Sequence, residues 1–251
     1  LATQNQDVAL GYWQKELEDF DTTAPMLGTR SQAIDQTEED RGEAHYTFDE
    51  EESQRLTDAA QNKRLTLSTL FQAAWALVLS RVSGESDVVF GVTVSGRDID
   101  LDGIEEMVGL FISTVPLRVS TANDAVGPWL RALQDRHQES RRFAFVPLAE
   151  IQRYSALPPD LPLFESILVF ENYPLERSMP QAGRGALRFS DGRATGSTNY
   201  PLTLVAAPAE GSLHLRVEYD GCRFSRDDIA RIFSFLKTLI LGLASAEEET
   251  P

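Results

Sequence analysis

Residues 67–94 read LSTLFQAAWALVLSRVSGESDVVFGVTV and decide the fold. Residues 67–80 are apolar on nearly every side, which predicts a buried central helix. Ser83 and Gly84 supply a signal for the end of that helix. Residues 87–94 are β-branched and almost continuously apolar, as in a strand covered on both faces. A buried helix that leads into a buried strand predicts a layered α/β core.

Further helices and strands flank this pair. Helices are predicted near 7–20, after the capping box of Asp49 and Glu52, from Pro128 as a first helical position, from Pro147, and after Ser225 with Asp228. Strands are predicted at 45–48, 109–119, 164–170, 201–207 and 213–219. The polar run 28–42 reads as a surface excursion and the run 177–197 as an exposed hairpin or flap.

Composition limits the classes of function. With 251 residues, 42% of them hydrophobic, the chain is long enough for one sizeable core, so residues 1–246 are assigned to one domain. Residues 247–251, which read EEETP, resemble the start of a linker. A net charge of -16 repels phosphate backbones and anionic headgroups, and the apolar run 236–244 is too short for a bilayer span. Nucleic acid and membrane are therefore not expected as partners.

The titratable residues form no self-contained active site. Cys222 is the one cysteine, which excludes an intrachain disulfide and a thiolate metal cluster and favours a reducing, cytoplasmic setting. It is interpreted as a small packed or turn residue rather than as a nucleophile. His45, His137 and His214 lie far apart without metal-ligand spacing, and each is interpreted as structural: strand, helix surface among charges, and strand surface. No phosphate loop or dinucleotide fingerprint is present, so neither a metal nor a directly bound cofactor is expected.

Four ordered stretches resemble the C-terminal lobe of a nonribosomal peptide synthetase condensation domain. One of them is MVGLFISTVPLR at 107–118. The others are GYWQKEL at 11–17, residues 67–75 with 88–97, and residues 164–174 with 198–203. Together they cover nearly the whole chain. The resemblance implies a chloramphenicol-acetyltransferase-like lobe, with a mixed β-sheet core packed with helices.

The same resemblance implies a two-lobed site for peptide bond formation in secondary metabolite biosynthesis. Phosphopantetheine arms of donor and acceptor carrier proteins enter a tunnel between the lobes, and an adenylation domain lies adjacent. The family's His-His-x-x-x-Asp-Gly motif orients or deprotonates the acceptor amine. No adjacent histidine pair occurs here, and the chain is expected to begin after that motif, which lies in the N-terminal lobe. We therefore expect no catalytic residue in this chain and no activity from it alone.

The resemblance also assigns candidate site residues. It implies a floor loop at about 95–107 and a latch at about 173–198 that crosses to the other lobe. Ser113, with Thr114, would face the catalytic histidine across the tunnel; a hydroxyl satisfied within the sheet is the alternative. Arg97 is a second tunnel candidate, or else part of a structural ion pair. On the substrate side the candidates are Ser95 and Gly96, together with Asn199 and Tyr200, which alternatively only begin a strand.

Two other functions stay open from the sequence. The chain is alternatively a noncatalytic module that docks carrier proteins or an adenylation domain, or a lobe of an epimerization or cyclization relative. An isolated lobe is expected to expose the apolar surface that its missing N-terminal partner covers, and homodimers through that surface are an expected outcome.

Overall fold

The computed structural model describes residues 6–22, 41–98, 102–104, 106–122, 125–171, 198–209 and 211–247. The predicted flap at 177–197 lies outside the described residues, as do nearly all of the latch and most of the polar run 28–42. The same holds for the last four residues of the predicted linker.

The described residues form six α-helices and six strands. The helices are α1 Gln6–Leu17, α2 Glu50–Asn62, α3 Leu67–Ser83, α4 Val126–Arg142, α5 Leu148–Ile151 and α6 Arg226–Ser245. The strands are β1 Arg41–Thr47, β2 Asp87–Ser95, β3 Ile112–Ser120, β4 Ser166–Phe170, β5 Leu202–Ala209 and β6 Ser212–Asp220. Short 3-10 turns follow β2 and α5. No single described helix is long and apolar enough to span a membrane, and only α2 and α3 together, bent by 102°, meet that criterion.

All six strands belong to one mixed sheet in the order β1-β6-β5-β4-β2-β3. β4 runs parallel to β2 and to β5, and the other neighbours are antiparallel. The predicted α/β class with a mixed sheet is confirmed. β1 and β3 are the edge strands. Pro116 lies in β3 opposite Gly91 of β2, and an edge strand is where a sheet tolerates the missing N–H of proline.

α3 is the central helix that the sequence predicts. Every residue from Thr69 to Ala76 is buried. The Thr66 side chain accepts from the Thr69 amide at the first turn, and Gly84 ends the helix in the left-handed region at φ 80°. The indole of Trp75 donates to Ser166 Oγ in β4 at 3.1 Å, so its one polar group is satisfied within the core.

The main hydrophobic core lies between α3, α6 and one side of the sheet. In β6 this side carries four buried apolar side chains: Leu213, Leu215, Val217 and Tyr219. The alternate positions of β6 are polar, with His214 exposed and Arg216 within 3.0 Å of Glu218. At this end the sheet is therefore covered by helices on one side and polar on the other.

α1 belongs to a second core cluster and is fastened to the sheet edge through polar contacts. Trp13 is buried there and donates from Nε1 to the Phe143 carbonyl at the end of α4, at 3.2 Å. Arg118 of β3 donates from Nη2 to the Asp87 carboxylate at 2.6 Å and from Nη1 to the Glu16 carbonyl at 2.9 Å. One guanidinium thus joins the start of β2 to the last turn of α1.

Several predicted boundaries need correction. β3 begins at Ile112 rather than at 109, because residues 106–111 belong to the connection from β2. Pro128 is the third helical residue of α4, since the helix begins at Val126; a proline there still costs no internal hydrogen bond. Arg41 and Gly42, assigned to the surface excursion, are paired with β6.

Local capping signals were the most reliable guides to helix ends. Asp49 with Glu52 forms the predicted capping box at α2, where the Glu52 amide lies 2.8 Å from Asp49 Oδ1. Ser225 with Asp228 does the same at α6.

We predict that Gly91→Ala destabilises the protein by about 1–3 kcal/mol. A Cβ at Gly91 would lie 2.5 Å from Cε2 of Phe164 and 2.6 Å from Cγ2 of Ile167, and both side chains are buried. Chemical denaturation measures the change. Gly11→Ala is the matched control, since nothing lies within 4 Å of its Cβ, and helix propensity predicts a gain of up to about 1 kcal/mol. Equal stability of the two variants would contradict the tight contact.

Candidate functional site

The candidate site lies where β2 ends and β3 begins. In the antiparallel register Ser95 pairs with Ile112, Val94 with Ser113 and Thr93 with Thr114. This pairing brings Ser95, Gly96 and Arg97 beside Ser113 and Thr114, so five of the seven predicted site residues lie at one end of the sheet.

Two hydroxyls near the start of β3 are available to a ligand. Ser113 and Thr114 are half-buried. Within the part of the chain that the structure describes, neither side chain makes a hydrogen bond to another protein group. Ser95 differs, because its Oγ accepts from the Arg97 amide at 3.3 Å. A donor and acceptor without a protein partner at a partly open position suits a polar contact to substrate or water.

Arg97 contacts its own loop. Its guanidinium donates from Nη1 to the Ile104 carbonyl and from Nη2 to the Met107 carbonyl, the latter at 2.8 Å. The same group lies 4.3 Å above the ring centroid of Phe111. These contacts include two hydrogen bonds and a cation–π contact. Both the tunnel role of Arg97 and the alternative of a structural ion pair stay predictions.

An exposed apolar ridge, formed by Val108, Leu110 and Ile112, adjoins these hydroxyls. Val108 and Leu110 are fully exposed and Ile112 is 69% exposed. The predicted strand region 109–119 does not locate this exposed apolar surface. Apolar side chains at every second position are the signal that was available, but alternation does not tell which side is covered.

Asn199 and Tyr200 lie far from this cluster. They precede β5, whose Leu202 pairs with Ser166 at the start of β4. Gly91, four residues before the end of β2, pairs with Ile167. The register therefore separates Tyr200 from Ser95 by about 20 Å along the strands, at about 3.3 Å per residue. The predicted substrate-side residues thus occupy two ends of the sheet.

Tyr200 has a packing role where it lies. Its ring stacks on Phe164 with centroids 5.4 Å apart, and burial raises the pKa of its hydroxyl. Asn199 is exposed. The assignment of these two residues to the acceptor side stays a prediction.

The three histidines are separated in the structure as well. His45 is exposed in β1 with Nε2 2.6 Å from Glu43 Oε1, and His214 is exposed in β6 with Nδ1 3.1 Å from Thr47 Oγ1. Both placements agree with the predicted strand positions. Neither lies in the strands that carry the candidate site.

The prediction that His137 lies on the helix surface among charges is wrong. α4 packs against α3, and the Gln72 side chain donates from Nε2 to His137 Nδ1 at 3.0 Å. Leu130, Leu133, His137 and Ser140 share helical spacing, which places the ring on the packed face. This spacing was readable from the sequence. Burial lowers the pKa of His137 to about 4.

We predict that His137 makes stability depend on pH. In the unfolded chain its pKa is near 6.5, whereas in the folded chain it is about 4. As the pH falls from 6.5 towards 4 the unfolded state binds the proton first, so the free energy of unfolding decreases, by up to roughly 3 kcal/mol. Denaturation midpoints between pH 7 and pH 4 measure the slope.

His137→Gln should reduce that slope, whereas the control His214→Gln, at an exposed site, should retain it. If His137→Gln showed the same dependence of unfolding free energy on pH as the parent protein, the attribution of that dependence to His137 would be wrong.

No group of three or more potential metal ligands occurs among the described residues. Cys222 lies in the turn after β6, as predicted, and its amide donates to Asp220 Oδ1 at 2.8 Å. The site at the ends of β2 and β3 consists of hydroxyls, one guanidinium and apolar side chains.

Comparisons with known proteins agree on one family. The family described as Condensation domain matches residues 1–250. One component of the linear gramicidin synthase of Brevibacillus parabrevis is 39% identical over 97% of this chain, but the chain spans only 5% of that protein. The chondramide synthase of Chondromyces crocatus is 38% identical over 97% of this chain, which spans 6% of its length.

Two solved structures share the fold: a four-domain nonribosomal peptide synthetase bound to AMP and glycine, and the X-domain from teicoplanin biosynthesis. Their TM-scores are 0.78 and 0.75, at 16% and 22% identity. Both likenesses cover 98% of this chain, and they cover 20% of the synthetase chain and 56% of the X-domain chain.

Proposed function

This chain belongs to the condensation-domain family, and from that premise we propose that it supplies one lobe of a site for amide bond formation. The substrates are aminoacyl and peptidyl groups held as thioesters on the phosphopantetheine arms of two carrier proteins. The second lobe is a segment that carries the His-His-x-x-x-Asp-Gly motif. The adjacent adenylation domain loads a carrier.

The proposed step is aminolysis of a thioester. The acceptor amine attacks the donor carbonyl, a C–N bond forms, the C–S bond breaks, and the amine proton passes to the departing thiolate. A base and a fixed geometry accelerate this step. The base belongs to the other lobe in this proposal, because none of this chain's three histidines lies in β2 or β3.

The observation that carries the proposal is the unpartnered Ser113 hydroxyl near the ridge. Ser113 and Thr114 are half-buried and have no hydrogen-bond partner among the described residues. In the proposed site Ser113 hydrogen-bonds a reacting group or an ordered water opposite the histidine motif. Thr114, the next residue of β3, projects to the opposite side of the sheet, so its hydroxyl would make a separate polar contact.

The exposed apolar ridge supports the need for a second lobe. Full burial of one such side chain stabilises an interface by about 1.5–3 kcal/mol. Burial of the three ridge side chains would therefore favour association with a second lobe. We assign the ridge to the interface with the histidine-bearing lobe. In its absence the same surface offers a homodimer contact.

We predict that this chain joined to a lobe with the histidine motif condenses two carrier-bound aminoacyl thioesters, and that the chain alone does not. Mass spectrometry of the carrier-bound product measures the reaction. Ser113→Ala in the joined protein should lower kcat roughly five- to tenfold, the value of one lost hydrogen bond of about 1–1.5 kcal/mol.

Ser234→Ala, exposed on α6, is the matched control and should leave kcat unchanged. Full activity of the chain alone would refute the two-lobe proposal. Carrier binding by the joined protein without any product would indicate a noncatalytic docking module instead.

A further inference from the structure

Arg97 is the centre of the connection between β2 and β3. Its two terminal nitrogens donate to the Ile104 and Met107 carbonyls, and its planar face lies 4.3 Å from the Phe111 ring centroid. The three partners come from separate points of the connection. A single side chain therefore ties together three residues that lie outside the described strands and helices.

The base of the connection is closed by backbone contact. The Gly96 amide donates to the Phe111 carbonyl, one residue beyond the last strand pair, Ser95 with Ile112. A Cβ at position 96 would lie 2.7 Å from the Phe111 oxygen, so only glycine permits this approach. The amides of Glu106 and Met107 donate to the Gly103 and Ile104 carbonyls at 3.0 and 3.3 Å, which adds a turn.

The order imposed by Arg97 extends to the ridge and the hydroxyls. Met107 immediately precedes Val108, and Phe111 lies between Leu110 and Ile112. The guanidinium contacts therefore flank Val108 and Leu110, and Ile112 directly follows the second contact. Ser113 follows directly, so a shift of Phe111 would move the Ser113 hydroxyl as well.

Arginine suits this position better than lysine for a geometric reason. A guanidinium donates in two directions in one plane while its face stacks on an aromatic ring. An ammonium on a flexible stem cannot make all three contacts at once. The charge alone does not explain the arrangement.

We propose that Arg97 is a positioning residue, which holds the Met107–Phe111 segment so that the ridge and Ser113 are presented in their working geometry. It acts through the loop and does not touch the reacting groups. The proposal rests on the function proposed above, but the loop contacts are testable without it.

Hydrogen exchange on the chain tests the loop contacts independently of catalysis. In Arg97→Lys the amides of Glu106 and Met107 should exchange at least tenfold faster, while amides of α3 stay protected. Arg153→Ala, at an exposed arginine outside this loop, is the control and should leave both sets unchanged. Unchanged exchange at Glu106 and Met107 in Arg97→Lys would overturn the proposal.

Kinetics on the chain joined to the histidine-bearing lobe test the consequence. Arg97→Lys should lower kcat about tenfold with less than a twofold change in KM for either loaded carrier, and Arg97→Ala should lower it further. If the variant has a thermal unfolding midpoint near that of the parent protein, the lower kcat is not caused by loss of folded protein. If Arg97→Ala does not fold, Arg97→Lys decides, because it retains the aliphatic stem and the charge.

An unchanged kcat in Arg97→Lys, with an active parent, would overturn the positioning role. An inactive parent combined with faster loop exchange in the variant would refute the proposed function and leave the loop contacts established.

Discussion

The burial of α3 against the mixed sheet is the constraint on which the rest of the structure depends. Eight consecutive residues of this helix, Thr69 to Ala76, have almost no access to solvent. A sheet on one side and other helices around it cover this segment. With the helices packed over one side of β6, the polar positions of that strand remain on the other. The available positions for a binding site are thereby limited to the sheet's open side and its ends.

The candidate site lies at one of these ends, where β2 ends and β3 begins. Strand pairing brings Ser95 and Ser113 to neighbouring positions although 17 residues of sequence lie between them. In the described part of this connection, the Arg97 side chain, the contact of Gly96 with Phe111 and a turn at Glu106 and Met107 hold the backbone. The apolar side chains of the ridge are exposed near the Ser113 hydroxyl. An exposed apolar patch beside polar groups is typical of an interaction surface.

The sequence predicted those features that depend on residues close together in the chain. The limits of α3, the capping boxes of α2 and α6, and the buried strand β2 follow from neighbouring residues, and the structure confirms them. The packing of His137 against Gln72, 65 residues away, was missed because the charged neighbours of His137 were considered and its helical spacing from Leu130 and Leu133 was not. The separation of Tyr200 from Ser95 depends on the strand order, which no single motif encodes. The family motifs singled out Ser113 and Arg97, and the structure shows both at the end where β2 meets β3.

Pro116 has a consequence for how this edge of the molecule associates. An edge strand with all its amides can template another strand and propagate into aggregates, and β3 lacks one of those donors at its midpoint. Extension of the sheet past β3 is therefore disfavoured. Association at this edge therefore relies on side-chain contacts rather than on backbone pairing. Side-chain contacts depend on shape complementarity, which favours a specific partner over an unfolded chain.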